Sequence, residues 1–109
     1  MNTKGYVYFI KCDKWFKIGA TTDVKSRFNS IQVCNPFPVE LIYKIKSNNM
    51  HLTEILFQDM FGRAEKRGEW YELTPADIKY IKAGRYNQDI VESIGRASKP
   101  IVIPDILAM

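Results

Sequence analysis

Few side chains in this chain of 109 residues combine the type and the spacing that chemistry demands. Cys12 and Cys34 form no Cys-x-x-Cys pair, and His51 is the single histidine. A Cys/His zinc site needs three or four ligands, so the chain cannot build one alone. One histidine also supplies neither a multi-histidine metal centre nor a convincing Ser-His-Asp triad. What remains is a set of tyrosines, basic groups and isolated carboxylates. Tyr6 and Tyr8 come first, then Lys17, Lys25 and Arg27, and later Glu54 with His51 three residues before it and Gln58 four residues after it.

The basic members of that set stand where the charge is concentrated. The chain carries 16 Lys and Arg against 12 Asp and Glu, a formal net charge of +4. Residues 1–50 hold eight of the basic groups and three acids, whereas residues 51–109 hold eight and nine. The whole excess therefore lies in the first half, where an anionic partner would be steered in a salt-sensitive way. The total alone does not name that partner. No apolar run approaches the ~18–20 residues of a membrane span, and the first residues lack the pattern of a secretory signal. Both cysteines are accordingly expected to be reduced thiols in a cytoplasmic protein.

The elements that must position these residues can be read from periodicity. Gly5–Lys11 is rich in aromatic and β-branched residues and predicts a strand, with Tyr6 and Tyr8 on one face and Val7 and Phe9 on the other. Cys12-Asp13-Lys14 fits a turn. Trp15–Gly19 returns as a second strand, with Trp15 and Lys17 sharing one face and Phe16 and Ile18 the other. Thr22 or Asp23 caps a helix to about Val33, whose apolar stripe is Val24, Phe28 and Ile31, with Arg27 beside it. Asn35-Pro36-Phe37-Pro38 stops that helix. Val39–Lys46 predicts a third strand. Met50 to about Arg63 predicts a helix with an apolar face of Leu52, Ile55, Leu56 and Met60, widened by Phe57 and Phe61.

Gly68 closes that segment, and Glu69–Leu73 reads as a short strand. Thr74-Pro75 opens a helix to about Lys82 with Gly84 near its end. Asn87–Ile94 fits a short helix, and 98–109 an extended tail. The order β-β-α-β-α-(β)-α describes a small α+β domain, a three-stranded antiparallel sheet flanked by helices. Residues 1–84 form the domain, and 85–109 are an extension that packs on it or on a partner. Trp70 and Tyr71 are read as core or rim rather than as base-stacking platforms.

Taken in order, these residues resemble the GIY-YIG endonucleases, in the short phage and bacterial branch whose second half-motif is Lys-Ile-Gly. Tyr6-Val7-Tyr8 matches the first half-motif, with Tyr8 at the tyrosine of Gly-Ile-Tyr. Lys17-Ile18-Gly19 matches the second, with Lys17 in place of its first tyrosine. Arg27, eight residues after Gly19, matches the helical arginine, and Glu54 matches the metal-binding glutamate. Asn35–Val39 resembles the turn before the third strand, and Gly68-Glu69-Trp70-Tyr71 a signature that follows the second helix. The resemblance spans Gly5 to Leu73. The chain departs from it at Lys17, at Gln58 where this branch often has a histidine, and at a late asparagine for which Asn87 is the candidate.

The resemblance implies hydrolysis of phosphodiester bonds in DNA, or secondarily RNA, with Mg²⁺ or Mn²⁺ held by Glu54. Such an ion keeps most of its waters and needs only one or two protein carboxylates. Arg27 would clamp the scissile phosphate with two bonds; it could instead pair with Asp23 on the helix surface. Tyr8 would orient or deprotonate the attacking water. A phenol of pKa ~10 is a poor base unless a cation lowers it, and Lys17 on the neighbouring strand is either that cation or a direct phosphate contact. Tyr6, His51 and Gln58 would support the site, and Lys17, Lys25 and Arg27 would bind the nucleic acid. A monomer would nick one strand, and a homodimer could cut both. The resemblance places the protein in the cytoplasm of a bacterial or virus-infected cell. The alternative on the same fold is a catalytically weak or inactive module that binds nucleic acid or protein.

Overall fold

A computed structural model describes residues 3–62, 65–67 and 70–95, with only the backbone path given for 65–67. Strands β1 (Gly5–Cys12) and β2 (Trp15–Thr21) form a hairpin. Its turn places Asp13 in the left-handed region at φ 58, a conformation that Asp tolerates better than most residues. Then come α1 (Val24–Val33), β3 (Val39–Ser47), α2 (Met50–Met60), β4 (Glu65–Arg67), β5 (Trp70–Tyr71), α3 (Pro75–Ala83) and α4 (Gln88–Ile94). The class is α+β, as expected. The sheet has five strands in the order β3-β1-β2-β5-β4, all pairings antiparallel, rather than the expected three. β5 adds to the outer edge of β2, and β4 adds to β5. Glu65-Lys66-Arg67 is fully charged and carries no alternation that could have revealed it as a strand.

β1, between β3 and β2, is the most deeply buried strand of the sheet. Val7, Tyr8, Phe9 and Ile10 are each at most 1% exposed, so both faces are covered. Val7 and Phe9 enter the larger core with Phe57 and Phe61, Ile81 of α3, and Ile90 and Ile94 of α4. The Phe57 ring stands edge-on to Phe9, with centroids 5.2 Å apart. Tyr8, Ile10 and Cys12 enter a smaller core with Ile31 of α1 and Val39 of β3. A register shift opposite Phe9 and Ile10 makes Ile42 the extra residue of β3. Consecutive residues Ile42 and Tyr43 then both pack on the larger core while Leu41 packs on the smaller one, the usual effect of a bulge.

Two expectations for α2 need correction. The helix ends at Met60, not near Arg63, because Phe61 leaves helical geometry at φ −101, ψ 18. Its buried line is Met50, Thr53 and Phe57, while Leu52 and Ile55 remain 42% and 52% exposed. Reading by apolar type overlooked Thr53, which sets the packing face. Elsewhere the caps agree with expectation. Asp23, rather than Thr22, caps α1. Thr74 and Asp77 form a capping box on α3, and Gly84 ends it at φ 77. The expected tail 98–109 lies outside the described residues, as do Arg63, Gly68 and Glu69.

Thr53 is fully buried within a chain of hydroxyls that ties three elements together. Its Oγ1 lies 2.8 Å from Ser47 Oγ at the end of β3 and 2.6 Å from Ser93 Oγ of α4. Ser93 Oγ donates to the Ile90 carbonyl at 2.7 Å, and Ser47 Oγ accepts from the Asn49 backbone N–H at 2.9 Å. Thr53→Val keeps the shape but leaves the Ser47 and Ser93 hydroxyls short of a buried partner. It is expected to cost ~1–3 kcal/mol, read as a lower urea midpoint with an unchanged slope. An unchanged midpoint would show that the network is not holding α4 in place.

Candidate functional site

The hairpin brings Tyr8 opposite Gly19. A Cβ built on Gly19 would overlap the Tyr8 hydroxyl and ring, so the missing side chain lets the phenol pack directly against β2. Tyr8 is 1% exposed and belongs to the smaller core, beneath α1. Lys17, two residues before Gly19 and so on the same face, is paired in register with Trp70 of β5. Its ammonium sits 5.4 Å from the centre of the Trp70 indole, within cation–π range.

Only two residues, Thr22 and Asp23, join β2 to α1, and the join is tightly fixed. The Asp23 backbone N–H donates to Thr21 Oγ1 at 3.1 Å, and the Asp23 carboxylate accepts from the Ser26 N–H at 3.0 Å. Four residues past that cap, Arg27 reaches an open groove of about 460 Å³ lined also by Lys17, Trp70, Ser30, Ile31, Cys34 and Asn35. Among the described residues the groove walls hold two cations and no carboxylate. It therefore suits an anion that accepts several hydrogen bonds. Lys25 is not part of it. Lys25 lines a neighbouring depression on α1 with Asp23, Ser26 and Asn29, which meets the groove at Ser30 and Cys34.

Glu54 arrives from the other side of the sheet, on α2. Beyond Lys17 the outer edge of β2 has no strand partner among the described residues. There the Gln58 carboxamide donates to the Ile18 carbonyl at 3.0 Å and to Glu54 Oε2 at 3.2 Å. Gln58 thus ties Glu54 to the residue next to Gly19, against which Tyr8 packs. His51 Nδ1 lies 3.7 Å from Glu54 Oε1 on an exposed side chain. Glu54 itself is 23% exposed. Among the described residues no three His, Cys, Asp or Glu gather into a metal cage.

Two sequence candidates have partners of their own. Tyr6 lies one pleat from Tyr8 and carries the Lys44 ammonium over its ring at 5.3 Å. Asn87 caps α4 instead, its Oδ1 accepting from the Ile90 N–H at 3.0 Å. Tyr71 is buried in the larger core. The role of Gln58 as the link between α2 and β2 was not legible, because a glutamine in a helix gives no sequence sign of the carbonyl it will meet. Gly19→Ala is expected to cost ~1–3 kcal/mol by overpacking. Gly62→Ala, where nothing lies within 4 Å of the added carbon, should change stability by no more than ~0.5 kcal/mol. Urea melts of the two variants side by side test this; equal costs would mean that Gly19 is not a tight contact.

No helix among the described residues is long and apolar enough to cross a membrane. Comparison with curated proteins and with solved structures gave no match. One family model does match, the T5orf172 domain, over residues 5–84. That span runs from the first strand through α3 and takes in Tyr8, Gly19, Arg27, Glu54 and Gln58. The chain therefore belongs to the T5orf172 domain family, a family of nuclease-like domains.

Proposed function

We propose that this chain is a divalent-metal-dependent endonuclease of the GIY-YIG type that hydrolyses phosphodiester bonds, in DNA ahead of RNA. The observation that carries the reading is the meeting of four elements at Lys17-Ile18-Gly19. Tyr8 packs on Gly19, Lys17 and Arg27 share one basic groove, and Gln58 holds Glu54 against Ile18. Family membership adds the nuclease-like class.

In this reading Arg27 and Lys17 bind the phosphate and offset the charge that grows on its oxygens. Arg27 gives two directed bonds, and Lys17 a point charge held in place by Trp70. The Tyr8 hydroxyl positions the attacking water by a hydrogen bond. Glu54 is the carboxylate fitted to anchor Mg²⁺ or Mn²⁺, since a single partly exposed carboxylate is enough for an ion that keeps its waters. When bound, that ion would supply charge stabilisation at the leaving oxygen. Gln58 keeps Glu54 aimed, and His51 stands beside the same carboxylate. With one such site, a monomer nicks one strand, and cutting both strands calls for a homodimer.

A second reading, a nucleic-acid-binding module without catalysis, draws on one observation: Tyr8 is 1% exposed, so its hydroxyl has little direct access to water. Supercoiled plasmid with Mg²⁺ or Mn²⁺ separates the two. The nuclease reading expects nicking by the wild type and a loss on the order of 10²-fold or more in Arg27→Ala and in Glu54→Ala. Nicking that survives both substitutions removes these residues from the mechanism. Salt-sensitive binding without any cleavage favours the module.

A further inference from the structure

The groove that holds Lys17 and Arg27 runs into the α1–β3 loop, because Cys34 and Asn35 line its far side. Three residues on from Cys34, Phe37 stands 62% exposed. A large aromatic ring left in water costs hydrophobic free energy, and Phe37 is in neither of the two core clusters of the described residues. The loop that carries it is nevertheless firmly built. Gln32 Nε2 donates to the Phe37 carbonyl at 3.1 Å, and Gln32 Oε1 accepts from the Val39 N–H at 2.9 Å. Asn35 Nδ2 donates to the Ile31 carbonyl at 2.7 Å. Pro36 and Pro38 restrict the backbone on either side. The ring is therefore held out from a rigid loop, so little conformational entropy is lost when something packs on it.

We infer that Phe37 is a stacking platform for an unpaired nucleobase of the strand whose phosphates lie in the Lys17–Arg27 groove. This rests on the nuclease reading and adds a substrate preference to it, for single-stranded or locally unpaired nucleic acid over intact duplex. Three features fix the occupant. The adjoining groove holds two cations and, among the described residues, no carboxylate, so it favours an anionic chain. The reach is short: Phe37 is two residues beyond Asn35, which lines the groove, a span of at most ~7 Å of chain. An aromatic face beside a phosphate track is also how single strands are gripped without sequence readout, each stacked base being worth on the order of tenfold in affinity.

The test is fluorescence anisotropy with a labelled single-stranded oligonucleotide and its duplex, for wild type, Phe37→Ala, Phe37→Leu and Phe37→Trp, across a salt series without divalent ion. Phe37→Ala and Phe37→Leu should each weaken single-strand binding on the order of tenfold and duplex binding far less, and Phe37→Trp should restore it. The salt slope should not change, because stacking releases no counterions; Arg27→Ala should make that slope shallower. Thermal midpoints of all Phe37 variants should match wild type, since the ring is exposed. Wild-type affinity in Phe37→Ala overturns the inference while leaving the nuclease reading in place. So does an equal loss on both substrates, a rescue by Leu as good as that by Trp, or a lowered thermal midpoint that accounts for the loss. Absence of binding by the wild type to either oligonucleotide overturns the inference together with the nuclease reading.

Discussion

The packing of Tyr8 on Gly19 is the contact from which the rest of the site follows. A side chain at position 19 would meet the phenol. With hydrogen there instead, the ring closes onto β2, the smaller core forms beneath α1, and α1 can settle with Ile31 against Ile10 and Cys12. That settlement sets where Arg27 stands. The same strand stretch then carries Lys17 on one side of Gly19 and Ile18, whose carbonyl receives Gln58, next to it. Two helices on opposite faces of a sheet are in this way referred to three consecutive residues.

This arrangement has an energetic logic. Tyr8 stands in the fully buried run Val7 to Ile10, so the phenol is held by the core rather than by a loop. Glu54, by contrast, is partly exposed and is steadied by one carboxamide and one turn of helix. A rigid phenol and basic groove with a more accessible carboxylate suit a site in which the substrate brings its own phosphate oxygens to complete the coordination of a hard ion. The hydroxyl chain through Ser47, Thr53 and Ser93 fixes α2 against β3 and α4, which keeps Glu54 from drifting along the β2 edge.

Much of this was legible in the sequence, for physical reasons that differ by residue. The hairpin, α1 and α3 announced themselves through β-branched and aromatic runs, through Asp and Thr caps, and through Gly84 at the end of α3; α4 showed only the four-residue spacing of Ile90 and Ile94. The α+β class followed from their order. Tyr8, Lys17, Arg27 and Glu54 were picked out through the resemblance to the GIY-YIG endonucleases, which their order along the chain carries. The illegible parts depend on partners distant in sequence. Thr53 looks like a helix surface residue until Ser47 and Ser93 surround it. The strand Glu65–Arg67 has no apolar face to betray it. Lys25 shares its type and near neighbourhood with Arg27, but two residues of helix rotation turn it to another surface.

The central claim is that one phosphate is served jointly by Arg27, Lys17 and Tyr8 from the α1 face and by Glu54 from α2. A crystal structure of Glu54→Gln bound to a short oligonucleotide tests it most directly. The account predicts a backbone phosphate hydrogen-bonded to both Arg27 and Lys17, with the Tyr8 hydroxyl and the side chain at position 54 on either side of it. A strand that runs instead over the Lys25 surface of α1, with its phosphates clear of the Lys17–Arg27 groove, would contradict it.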